Sequence, residues 1–453
     1  MIRFTILLSG MLLSCGCVQQ TLKTASSSVE DSVDYTMTAS DIREANVVKT
    51  ASERVTEPNS ILTLRETLQL TLTHHPELKV YAYAIRAAEA RALQAGLRPN
   101  PEFEVEMENL GGTGELSGTD AAETTLALSQ LIELGDKAQK RKTVAAFETE
   151  VAGADYQVKK RVILSEGAKA FVEVLKAQET HRLSDQLLKL SEASFQTVRR
   201  RVEAGKDSPV EKNRASIELT NVKIAHRQAQ MNLDTARKQL ASFWSQEEPH
   251  FQEAVGQLRE IEPLPPLKNV TQQLKQNPEY IRWESEIQKS RAALDLEHSK
   301  AIGDLSVGAG VRRYNATDDN AFVVGLSIPL PLFNRNQGGK KEAAYQLSMA
   351  RQKQKAALRA LLNDFNQTYQ QCATAYHQAL SLKNDVLPAA REMFNAAQEA
   401  YKQGKIDYMN VLDAQRTYFI SQNEYVEILA AYHKAIMDMQ RLIGQSIHAK
   451  SVQ

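Results

Sequence analysis

Cysteine is nearly absent. Of the three in 453 residues, Cys15 and Cys17 stand near the start and only Cys372 lies in the body of the chain, so no disulfide framework is indicated. No run approaches the roughly 20 apolar residues that cross a bilayer as a helix, and any membrane crossing must therefore use strands. Neither charge is in excess, since Lys+Arg and Asp+Glu both total 55, and this removes the basic footprint of a nucleic-acid binder. There is no Walker-type phosphate loop and no dinucleotide fingerprint. No nucleophile, base and cleft constellation can be assembled either, so the sequence argues against an enzyme and implies no cofactor. What remains is ample apolar material, 42% of residues, enough for one large domain or two to three ordinary ones.

Arg3 precedes Ile6, Leu7, Leu8, Met11, Leu12 and Leu13, a charged start and a short apolar core that read as an export signal over residues 1–14. Leu12-Leu13-Ser14-Cys15 resembles a bacterial lipobox, which would make Cys15 the acylated mature N-terminus. The shifted reading ends at Cys17 but lacks Leu three residues before its Cys, and an ordinary secreted chain is the third option. Residues 15–60, rich in Ser, Thr, Asp and Glu, read as a lipidated tether.

The body follows one plan twice, over residues 61–265 and 266–445, with 446–453 as a tail. His75-Pro76-Glu77 is echoed by Asn277-Pro278-Glu279, Leu128-Ser129 by Leu326-Ser327, and Gly205-Lys206 by Gly404-Lys405. The offsets of 202, 198 and 199 are nearly constant, and one duplication explains them. Each repeat predicts a very long helix, Asp136 to Ala204 and Lys340 to Gln403, then a Gly break and a second helix, Pro209 to Phe243 and Tyr408 to Ile443. Phe147, Val151, Ala154, Val158 and Val162, and later Leu187, Leu190, Ser194, Val198 and Val202, give the narrow stripe of helices packed side by side. At 1.5 Å per residue the first long helix runs about 100 Å.

Each repeat also predicts a hairpin, at about residues 101–132 and 304–330. Glu102, Glu104, Glu106 and Glu108 alternate with Phe103, Val105 and Met107, the period of a strand. The segments Thr124–Leu128, Leu305–Val311 and Phe322–Ile328 likewise oppose an apolar face to small or polar residues. This is the length and pattern of transmembrane barrel strands, with the glutamates toward the lumen and the apolar residues toward lipid. Four strands cannot close a barrel without an unpaired edge in lipid. Three chains would supply twelve. The segments Leu110 to Asp120 and Asn315 to Asn320 are then the outer loops.

Gly205 and Gly404 suit the left-handed residue that ends a helix, and Ser208-Pro209-Val210-Glu211 reads as a capping box. His74-His75 is the only adjacent histidine pair, and neighbours on a helix do not share a face, so no metal site is expected.

The duplicated long-helix, hairpin and Gly-break plan, with Tyr401-x-x-Gly404 and Val411-Leu412-Asp413-Ala414, resembles the TolC family of outer-membrane factors over residues 61 to 445. Leu97-Arg98-Pro99-Asn100-Pro101-Glu102, Glu108-Asn109-Leu110-Gly111-Gly112 and Glu123 to Gln130 resemble its CzcC-like, cobalt-zinc-cadmium branch. The resemblance implies a homotrimer of mainly α fold, with a 12-stranded β-barrel in outer-membrane lipid continued by a periplasmic α-helical barrel. It implies a periplasmic adaptor (membrane fusion) protein and a proton-driven inner-membrane RND pump as partners, and export of divalent heavy metals. A duct for drugs or secreted proteins shares that fold, and a lipid-anchored coiled-coil scaffold is the alternative of another class. The resemblance implies two acids at the periplasmic entrance, of which the second is retained here as Asp413 while Asn410 stands in place of the first. The position of Glu211 is a tip gate in the family and a helix cap in the bland reading. Ile406 stands where the family has a gate arginine.

Overall fold

The structure, a computed structural model, describes residues 57–264 and 270–444. The chain divides into two units, Met1–Ser52 and Glu53–Gln453, and the described residues belong to the second. The expected signal, Cys15, Cys17 and the tail 446–453 lie outside the described residues.

The first repeat runs β1 (Ile61–Leu62), α1 (Leu64–His74), α2 (Pro76–Ala95), β2 (Glu102–Glu108), β3 (Glu123–Ile132), α3 (Lys137–Glu203), α4 (Pro209–Ala241) and β4 (Glu253–Ala254). The second runs α5 (Val270–Leu274), α6 (Pro278–Ser299), β5 (Leu305–Tyr314), β6 (Asp319–Ser327), α7 (Gln337–Ser381), α8 (Leu387–Lys402) and α9 (Tyr408–Ile443).

The echoed sequence landmarks are helix boundaries. His75 and Asn277 are N-caps whose side chains accept from the amides of Glu77 and Glu279, at 3.3 and 2.8 Å, and each is followed by Pro at the first helical position. Proline loses nothing there, because that N–H has no partner inside the helix. His75 is thus structural, and burial lowers the pKa of its imidazole. Gly205 and Gly404 adopt φ of 72° and 73°. Around them the amides of Lys206 and Lys405 reach back to the carbonyls of Arg201 and Ala400 at 2.8 and 2.9 Å. Both are Schellman turns, which satisfy carbonyls that a helix end otherwise leaves bare.

The long helix α3 has 67 residues and no proline, and it packs against α2, α4, α6 and α9. Of the expected stripe only Val151 and Val198 are buried, and most of the buried apolar residues lie instead around Ile163, Ala168, Phe171, Val172 and Val174. Neighbours on several sides replace a single seam there. Its counterpart departs from the expected continuous helix, since a π-turn at Leu382–Val386 separates α7 from α8. Pro388 supplies the cause, having no N–H and crowding the carbonyl four residues back.

The fold starts earlier than Ile61. The Glu57 carboxylate accepts from the Trp244 indole at 2.9 Å and from the amides of His250 and Phe251 at 2.7 and 3.1 Å, so residues 57–60, expected in the tether, are pinned beside the parallel pair of β1 and β4. Thr63 and Glu66 form the reciprocal capping box of α1. The box expected at Ser208 is incomplete. Ser208 accepts from the Val210 amide at 3.3 Å, whereas the Glu211 side chain turns to Arg214 at 3.0 Å.

Candidate functional site

Two regions carry the features that sequence reasoning singled out. The first is a four-stranded antiparallel sheet in the order β2-β3-β5-β6, which leaves β2 and β6 as its edges. The register aligns Val105, Leu126, Val311 and Phe322 across one face, with Phe103, Leu128, Ala309 and Val324 in the next row. This face is bare: Phe322 is 92% exposed, Val324 75% and Leu326 72%. On the other face Glu104 aligns with Ala127, Gly310 and Val323, and Glu102 with Ser129, Gly308 and Gly325. Glycine is required at Gly310, where an added Cβ would stand 2.5 Å from the Leu126 carbonyl oxygen. Strand β6 starts at Asp319, earlier than expected, so the connection from β5 shortens to residues 315–318, with Asp318 left-handed at φ 60°.

The four glutamates of β2 are not equivalent. Glu102, Glu104 and Glu106 are exposed, whereas Glu108 lies 2.8 Å from Arg312, which also reaches Glu123 at 3.0 Å and the Thr125 hydroxyl at 2.8 Å. Of the four glutamates expected in one row, three are therefore exposed and the fourth shares the Arg312 guanidinium with Glu123. Nothing in β2 alone announces Arg312. The signal was the Arg312-Arg313 pair at the end of an otherwise apolar and small strand.

The second region is where the turns at Gly205 and Gly404 meet. The Arg201 guanidinium pairs with Asp207 at 2.9 and 3.0 Å and lies 4.7 Å from the centre of the Tyr401 ring. Tyr401 donates to the same carboxylate at 2.5 Å. The hydrogen bond from Arg201, with a smaller contribution from Tyr401, holds the Asp207 carboxyl below the usual carboxylate range against the opposing effect of burial. Burial, then the Asp207 carboxylate, raises the Tyr401 phenol. Ile406 packs into the cluster of Val198, Phe394, Tyr401 and Tyr408, which makes it a core residue of the turn. Asn410 and Asp413 are both exposed on the first turns of α9, and Arg416 pairs with Glu218 of α4. The Glu218 carboxylate raises the Arg416 pKa, and Asp413 adds to the effect. Among the described residues no group of three His, Cys, Asp or Glu side chains is gathered as a metal site. No described helix is long and apolar enough to cross a membrane.

One pair of histidines the sequence did not reveal is His181 and His226, whose rings lie 5.1 Å apart. They are 45 positions apart in the chain but on α3 and α4, which fold back on each other at Gly205.

The chain is 31% identical over 384 residues to the cobalt-zinc-cadmium resistance protein CzcC of Cupriavidus metallidurans, a match covering 85% of this chain and 90% of that one. It is 26% identical over 283 residues to the nickel-cobalt-cadmium resistance protein NccC of Alcaligenes xylosoxydans, covering 62% of this chain and 64% of that protein. In structure it is similar to the CmeC outer membrane channel of Campylobacter jejuni, with a TM-score of 0.71, 14% identity and 86% of each chain covered. The profile of the outer membrane efflux protein family matches residues 67–246 and 269–445, one segment in each repeat, and the chain belongs to that family.

Proposed function

We propose that the chain is one protomer of a trimeric outer-membrane duct that carries divalent heavy-metal cations of the cobalt, zinc and cadmium class to the exterior. The observation that carries the duct is the four-stranded sheet, bare and apolar on one face, small and acidic on the other, with two unpaired edges. In lipid an open edge is costly, because each unsatisfied backbone group loses several kcal/mol, about what a missing hydrogen bond costs in an apolar medium. Joining β6 of one copy to β2 of the next would remove all edges and give twelve strands, an even number within the range of outer-membrane barrels. The glycine- and alanine-rich face would then line the passage. Energy would enter elsewhere, from an inner-membrane RND pump reached through a periplasmic adaptor. The meeting point of the Gly205 and Gly404 turns would be the periplasmic end, with Asp413 and Asn410 around its entrance and Glu211 at its rim.

The cargo rests on likeness to CzcC, and deletion of the gene tests it. Tolerance to zinc, cobalt and cadmium should fall while tolerance to hydrophobic drugs is unchanged, and the reverse pattern would make this a drug duct. Lipid attachment at Cys15 rests on Leu12-Leu13-Ser14-Cys15. Mass spectrometry of the N-terminal peptide should find acyl chains on Cys15, and finding them on Cys17, or none, would replace that reading.

A further inference from the structure

We propose that His181 and His226 form a two-imidazole site for a borderline divalent cation such as Zn²⁺, with Ser184 as its positioning residue. The two rings, one from α3 and one from α4, lie 5.1 Å apart with 34° between their planes, close enough for nitrogens of both to reach one ion after a small rotation. Both side chains are half-buried, which limits the rotamers that binding must freeze.

Ser184 makes the site more than a contact between rings. Its hydroxyl donates to the His181 carbonyl at 2.7 Å and lies 3.1 Å from Nδ1 of His226. A hydroxyl has one proton, and with it committed to the carbonyl, Oγ must accept from Nδ1–H. That hydrogen-bond network assigns His226 the tautomer with its lone pair on Nε2. Fixing the second ring nitrogen by a hydrogen bond is how proteins orient a metal-ligating histidine. Asp185 lies one helical turn after His181. Its carboxylate is taken by the Lys189 ammonium 2.7 Å away, the first cause of its lowered pKa. The described residues hold no ready group of three ligands, so water would complete the coordination and the ion would exchange readily. Imidazole selects zinc, copper, nickel and cobalt over magnesium and calcium.

The site goes beyond the proposed export function and is tested apart from it, on purified full-length protein rather than in cells. Calorimetric titration with Zn²⁺ should show one site per chain in the wild type, lost in His181→Gln and in His226→Gln and kept in His74→Gln. Ser184→Ala should retain the site with affinity lower by about tenfold. Circular dichroism reports whether each variant is folded, and the two glutamine variants provide independent readings should one fail. Titration of the wild type with Mg²⁺ should show no uptake. Equal Zn²⁺ uptake by the wild type and both glutamine variants, or no saturable uptake by the wild type, would overturn the proposal. Either result would leave the metal-tolerance experiment unaffected.

Discussion

Asp207 accepts from Arg201 of the preceding helix and from Tyr401 of the other repeat, and so it couples the two turns. Its pKa is depressed in the fold, so its contribution is fully present above the unfolded value of about 3.9 and is lost as pH falls through the lower folded value. Asp207→Asn should therefore lower the thermal midpoint at neutral pH, with wild type and variant converging in strong acid. Removing a hydrogen bond to a charged group costs about 1.5–3 kcal/mol, and the lower figure applies to this partly exposed site. A constant difference from pH 7 down to pH 2 would show that the carboxylate does not couple the turns. Asp413 presents another charge at the same end. Repeated about a threefold axis it would favour cations, as rings of carboxylates do in channels, so Asp413→Asn should shift the reversal potential in planar bilayers toward lower cation preference. An unchanged potential would assign selectivity to Glu102, Glu104 and Glu106.

The strands permit the sharpest contrast among the elements. Val105 and Glu104 are neighbours on β2 that point to opposite faces. An Arg on a lipid-facing position costs roughly 2–4 kcal/mol at mid-bilayer. Val105→Arg should therefore sharply reduce assembly in the outer membrane, while Glu104→Arg should assemble near the wild-type level. Equal outer-membrane yields, measured by fractionation and immunoblotting, would reverse or remove the face assignment. Much at this scale was legible in the sequence. The alternation of Glu102 to Glu108 gave β2, because periodicity is local, whereas the His75-Pro76-Glu77 and Asn277-Pro278-Glu279 landmarks were read only as echoes of a repeat and the structure shows them to be the capped starts of α2 and α6. What escaped depends on partners distant in sequence. Arg312 acquires its role only when β5 lies beside β3. The π-turn follows from Pro388, which was present in the sequence but outweighed by the helical pattern on both sides. Glu211 matched a capping box yet bonds Arg214, since a guanidinium one turn on competes for the carboxylate.

For the whole molecule, the duplication was readable from three landmarks, whereas the contact between repeats was not. Tyr401 and Asp207 are 194 positions apart, and His181 met His226 only through the fold-back at Gly205. A protein whose sheet ends in two open edges also has a genetic consequence. If closure needs every copy to offer a sound β2 to one neighbour and a sound β6 to the other, a single faulty copy leaves a gap that the others cannot bridge. A chain damaged on β2 alone should then be dominant when made alongside the wild type. With equal supply and random mixing into threefold rings, only about one ring in eight would be free of it. Tolerance of the cell would fall out of proportion to the amount of defective protein, and that disproportion would count the copies in the ring.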